Sequence, residues 1–241
     1  MSKGLMSASF VVVFLCGFVA IACADDSDRL KPNEFETEIT LTIKNNYLLY
    51  LPEDYGKQER WPLLVFLHGA GERGDDLELL KVHGPPKLIA AGKDFPCIVL
   101  APQCAKHTRW YPQALIELID KIANEYKVDK SRIYLTGLSM GGSGTWALGA
   151  DYPRVFAAIA PICGRGRPDK AEALVSTPTW VFHGAKDKTV KIEESEKMVE
   201  AIKAAGGNPK FTVYPEAEHD SWTETYDNPK FFEWLFGQRK K

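Results

Sequence analysis

The feature that most restricts the fold of this chain is a recurring unit: a short, unbroken apolar run followed by a polar or glycine-rich loop. Pro62–Leu67, "PLLVFL", leads into "HGAGERG". Ile98–Ala101 leads into "PQCAKHTRW", Ile133–Thr136 into "GLSMGG", Thr179–Phe182 into "HGAKD", and Phe211–Tyr214 into "PEAEHDSW". Ala157–Ala160 is another such run. A strand wet on one face alternates apolar and polar residues, whereas a continuous apolar run suits a strand covered on both faces. Helical patterns separate the runs. Leu115, Ile116, Leu118, Ile119, Ile122, Ala123 and Tyr126 form one apolar stripe; Glu193–Ala205 is closed by Gly206-Gly207; Asn228–Phe236 is a short last helix. Repeated strand–helix units with buried strands predict an α/β fold, a mostly parallel sheet with helices on both faces. The alternating Phe35–Ile43 and the following Tyr47–Leu51, either side of Asn45-Asn46, predict an opening antiparallel pair.

The ends of the chain set the compartment. Lys3, the apolar run Phe10–Ile21 and Ala22-Cys23-Ala24 before Asp25-Asp26 have the layout of a cleaved secretory signal peptide over residues 1–24. The run is short for a membrane span, which needs about 20 apolar residues. Lipidation at Cys23 is the alternative, on an imperfect box, Ala20-Ile21-Ala22. Either way the expectation is a secreted or periplasmic protein with a single domain over 25–241 and no stable span after cleavage. The net charge of −2 offers no basic excess for nucleic acid or anionic lipid. Cleavage leaves Cys97, Cys104 and Cys163. An extended segment from Cys97 to Cys104 would separate them by roughly 23 Å, too far for a disulfide.

In a parallel sheet, functional loops gather at the carboxyl ends of the strands. Gly137-Leu138-Ser139-Met140-Gly141 is a G-x-S-x-G pattern between a predicted strand and a predicted helix. That context, more than the pattern, suggests a strained turn presenting Ser139 as a nucleophile. A serine hydroxyl needs a base, and the base needs a carboxylate to orient it. His219 follows the last strand in a loop able to reach across the sheet edge, and Asp187 lies just beyond a buried strand. His68 and His183 each end an apolar run and read as packing or hydrogen-bonding residues; His83 and His107 sit in polar loops. For the oxyanion, the expected donors are the N–H of Met140 and that of Ala70, with Gly71 as the alternative. Glu72 and Arg73 are candidates for an ion pair bracing that loop. Trp110, Trp222, His68 and Gly71 are the candidate substrate contacts.

"PLLVFLHGAGERG", "RIYLTGLSMGGSGTW", "WVFHGAKDKTV" and "HDSW" together resemble secreted α/β-hydrolase esterases of the polyhydroxybutyrate-depolymerase and feruloyl-esterase type, whose relatives are described as phospholipase/carboxylesterase or prolyl-oligopeptidase-like. The likeness runs from about Phe35 to Phe236. It implies the α/β-hydrolase fold and a serine carboxylesterase without a cofactor. Its nucleophile, acid and base fall on Ser139, Asp187 and His219. The expected substrate is a small-molecule or oligosaccharide ester carrying acetyl, feruloyl or another small acyl group. No inserted cap is found between Ala160 and Phe182, which suggests an open site. A metal hydrolase is not supported, since H-E-x-x-H and paired C-x-x-C are missing. "GAGERG" fits G-x-G-x-x-G formally, but no apolar helix opening follows Gly74. A serine peptidase and a non-catalytic binding protein on the same fold remain open alternatives.

Overall fold

The computed structural model describes residues 33–37 and 42–240. Thr42–Lys241 form one compact unit; of the other, Met1–Leu41, residues 33–37 are described and carry neither helix nor strand. The expected leader, residues 1–24, lies outside the described residues.

The compact unit is built on a seven-stranded sheet in the order β1-β3-β2-β4-β5-β6-β7. The strands are β1 (Tyr47–Tyr50), β2 (Trp61–Leu67), β3 (Ile98–Pro102), β4 (Val128–Leu138), β5 (Ala158–Ile162), β6 (Trp180–Gly184) and β7 (Lys210–Tyr214). All neighbours pair in parallel except β1, which runs antiparallel to β3 with Tyr47 opposite Pro102. The helices are α1 (Gly84–Ala90), α2 (Pro112–Glu125), α3 (Met140–Asp151), α4 (Glu193–Ala204), α5 (Trp222–Asp227) and α6 (Pro229–Phe236).

Both faces of the sheet are covered because side chains alternate along each strand. On β2, Leu63, Val65 and Leu67 belong to one buried cluster with Leu115 and Ile119 of α2, Trp146 of α3 and Met198 of α4. Leu64 and Phe66 face the other way, into a cluster with Tyr226 of α5 and Phe231 and Leu235 of α6. Every residue of β2 is buried, the burial that its unbroken apolar run demands.

The opening pair differs from expectation. Tyr47–Tyr50 is a strand, but its partner is β3, and the Asn46 carbonyl extends that ladder by accepting the Gln103 N–H at 2.7 Å. In the expected partner, Phe35–Ile43, the described residues 35–37 and 42–43 carry no strand, and 38–41 lie outside the described residues. Between β5 and β6 the chain forms only a short 3-10 turn, Pro168–Leu174, so no cap is inserted in that connection. Among the described residues, no helix is long and apolar enough to cross a membrane.

Candidate active site

The turn from β4 to α3 places Ser139 at φ 53°, ψ −113°. Positive φ in a non-glycine residue costs roughly 1–3 kcal/mol and persists only where the surroundings enforce it. Here the enforcement is close backbone packing. A Cβ on Gly141 would lie 1.9 Å from the Leu67 carbonyl oxygen, and one on Gly137 would lie 2.5 Å from the Gly141 oxygen. Only glycine lets β2, β4 and α3 meet this closely, and the sharp turn lifts the Ser139 hydroxyl above the sheet edge. The Ser139 N–H donates to the Ile162 carbonyl at 2.9 Å, anchoring the turn to β5.

The loops after β6 and β7 bring two more side chains to Ser139. His219 Nε2 lies 2.9 Å from Ser139 Oγ, and His219 Nδ1 lies 2.7 Å from Asp187 Oδ2. The other oxygen of Asp187 accepts the N–H groups of Thr189 and Val190, at 2.8 and 2.9 Å. Burial pushes the Asp187 carboxyl up, but the His219 bond, these two N–H groups and the charge of His219 outweigh it and hold it below the usual range. The ionised Asp187 accepts a hydrogen bond from the Nδ1–H of His219, which leaves Nε2 with a lone pair for the serine hydroxyl. His183 braces the acid loop from below: its Nε2 is 2.8 Å from the Val190 carbonyl and 3.2 Å from Asp187 Oδ2, and its Nδ1 is 2.7 Å from Ser195 Oγ. Asp220, adjacent to His219, is engaged instead with the N–H and hydroxyl of Thr223.

An open cleft of about 520 Å³ runs beside Ser139, lined by Ala70, Trp110, Met140, Val190 and others. Met140 is the first residue of α3, so its N–H has no intrahelical acceptor. Three arginines, Arg73, Arg109 and Arg165, also line the cleft, and no carboxylate does. Arg109 stands in the loop after β3, next to Trp110, and was not among the residues singled out from the sequence.

Three of the expected substrate contacts are not part of that cleft lining. His68 is 1% exposed, with Nδ1 on the Gly69 carbonyl at 2.6 Å and Nε2 accepting the Cys104 N–H at 2.9 Å. It cannot touch a substrate; burial pushes its pKa down to about 4. Trp222 donates its indole N–H to His83 Nδ1 at 3.3 Å and packs edge-on against the His219 ring, outside the cleft lining. Gly71 is exposed on its loop and also outside that lining. Trp110 does reach the cleft, although only 8% exposed, because its indole is held over His68 by a bond to the His68 carbonyl. Glu72 and Arg73 brace their loop separately: Glu72 accepts the Gly69 N–H, and Arg73 Nε–H donates to the Ala70 carbonyl. Among the described residues no ion pair joins the two.

Cys97, Cys104 and Cys163 are free and buried. Cys163, with its thiol pushed up to about 12 by burial, lies close to Asp187 and His219, their ligand atoms within 4.8 Å of one another. This is the cluster of metal-binding type among the described residues, and two of its members already hold each other.

Residues 102–230 match the dienelactone hydrolase family. The chain is 32% identical over 177 residues to the bifunctional acetylxylan esterase/xylanase XynS20E of Neocallimastix patriciarum, covering 67% of this chain and 25% of that protein. It is 31% identical over 196 residues to an endo-1,4-beta-xylanase/feruloyl esterase of Xylanibacter ruminicola, covering 73% of this chain and 27% of the relative. The chain thus spans about a quarter of the length of these curated relatives. Among solved structures, a thermostable esterase superposes with a TM-score of 0.72 at 36% identity, covering 82% of this chain and 60% of the other. The architecture is that of the α/β-hydrolases.

Proposed function

From the premise that this chain belongs to the dienelactone hydrolase family, we propose that it hydrolyses carboxylic esters through an acyl-enzyme on Ser139. The observation that carries the reading is the unbroken line from Ser139 Oγ through His219 to Asp187, at 2.9 and 2.7 Å. His219 Nε2 takes the hydroxyl proton as Oγ attacks the acyl carbon. The N–H groups of Ala70 and Met140 receive the carbonyl oxygen as it becomes an oxyanion. His219 then returns the proton to the departing alcohol, and the acyl-enzyme forms. Water, deprotonated by the same nitrogen, releases the acid and restores Ser139. Asp187 holds the imidazole in the required tautomer and stabilises its cation. The residues of this cycle suffice without a cofactor.

The substrate is a small-molecule or oligosaccharide ester, with acetyl and feruloyl groups the first candidates. Support comes from the esterase names of the xylan-active relatives and from the open cleft, which no cap closes among the described residues. The chain is exported, in accord with the layout of residues 1–24. A second reading of the substrate is favoured by the three cleft arginines: an ester that itself carries an anionic group.

The test is turnover of short p-nitrophenyl esters, acetylated xylan and methyl ferulate, set against matched peptide anilides, with Ser139→Ala as control. Ester turnover lowered about 10⁴-fold or more in the variant is expected. Anilide turnover exceeding ester turnover would favour a peptidase, and no turnover of either a binding protein.

A further inference from the structure

Peptide groups right after β2 are held one by one by side chains. The His68 carbonyl accepts the Trp110 indole N–H at 3.3 Å. The Gly69 N–H donates to Glu72 Oε2 at 2.8 Å. The Gly69 carbonyl meets His68 Nδ1 at 2.6 Å, and the Ala70 carbonyl accepts Arg73 Nε–H at 2.9 Å. From the His68 carbonyl to the Ala70 carbonyl, one backbone group is left without a partner among the described residues, the Ala70 N–H. It belongs to the peptide whose carbonyl His68 holds.

We propose that His68 is a positioning residue of this site: its Nδ1–H grips the Gly69 carbonyl and so aims the Ala70 N–H into the cleft. In a trans peptide the carbonyl and the following N–H point in opposite directions, so holding one aims the other. The tautomer follows from the partners. A carbonyl only accepts and a backbone N–H only donates. With the Gly69 oxygen at Nδ1 and the Cys104 N–H at Nε2, the neutral ring carries its proton on Nδ1. The Cys104 bond ties the ring in turn to the loop after β3. His68 never meets the substrate; its effect passes through one peptide plane.

This assignment rests on the reading of Ala70 as an oxyanion donor, and the experiment separates the two. An asparagine amide places an N–H close to the position of Nδ1, whereas a glutamine amide reaches toward Nε2. His68→Asn is expected to keep kcat on p-nitrophenyl butyrate within about tenfold of wild type. His68→Gln is expected to lower it roughly 10²–10³-fold, the usual loss for an oxyanion donor, with KM within about threefold in both. Affinity for a trifluoromethyl ketone, which binds as an oxyanion, should fall in parallel with kcat in the glutamine variant. Equal losses in the two variants, or losses confined to KM, would overturn the assignment while leaving the ester-hydrolase reading intact. A wild type without ester turnover would overturn that reading and this assignment with it. If a variant does not fold, ¹⁵N NMR of the wild-type imidazoles decides: a His68 proton on Nδ1 supports the proposal, and one on Nε2 refutes it.

Discussion

At the scale of single residues, the account turns on which atom carries which proton. Asp187 has both oxygens occupied, one by His219 and one by two loop N–H groups, and it stays ionised below the usual carboxylate range despite its burial. A neutral amide in its place would leave His219 free to adopt the other tautomer, with Nε2 protonated and unable to take the serine proton. Asp187→Asn should therefore lower kcat on p-nitrophenyl butyrate by roughly 10⁴-fold with little change in KM. An equal or larger loss in Asp220→Asn would move the acid to that residue. The three side chains could be singled out from sequence because each follows an apolar run, and a parallel sheet brings such positions to one edge. The role of His68 was not legible in that way. A histidine ending a buried strand looks the same whether it packs or aims a peptide, and only the partners of its two nitrogens tell these apart.

At the scale of elements, β4 links the site to the end of the chain. Its second residue is Asp129, which accepts from the Ser131 hydroxyl and N–H and from Arg132, and also meets Arg239 at 3.0 Å. Burial raises the carboxyl, but the Ser131 and Arg132 donors win and hold it at about 2. Because the folded value lies below the unfolded one, about 3.9, Asp129 stabilises the fold above pH 4. That contribution disappears as pH falls from about 4 to about 2. Asp129→Asn should lower the melting temperature at neutral pH and flatten the loss of stability across this acid window, as measured by thermal unfolding at stepped pH. An unchanged acid profile would remove Asp129 from the account. Strands β2, β3, β5, β6 and β7 were legible as continuous apolar runs, to within two residues at their ends, whereas β4 begins at Val128, five residues before its run. What was not legible was the pairing of β1, since a four-residue strand carries no signal for a partner some fifty residues away. Helix α1 was equally hidden: it begins at Gly84 and continues through Pro85 and Pro86, residues that resemble a loop until they occupy the first turn, where proline is tolerated.

At the scale of the whole molecule, charge is distributed against its overall balance. The chain is net −2, yet its cleft is lined by three arginines and no carboxylate. Arg165 is paired with Glu194 at 2.9 Å and Arg73 is bonded to two carbonyls, while Arg109 is exposed without such a partner among the described residues. If the cleft takes anionic esters, the ratio of kcat/KM for mono-p-nitrophenyl succinate to that for p-nitrophenyl butyrate should drop several-fold in Arg109→Gln. In wild type the same ratio should fall as salt shortens the screening length to about 10 Å at 0.1 M. A ratio indifferent to both would leave neutral acyl esters as the substrate class. The expectations about activity depend on Ser139 Oγ being the atom that attacks, and the most direct measurement is covalent trapping by a fluorophosphonate followed by peptide mapping. The account predicts one adduct, on the peptide containing Ser139, that forms far more slowly in His219→Ala. An adduct on another residue, or no adduct in a protein that still turns over esters, would contradict it.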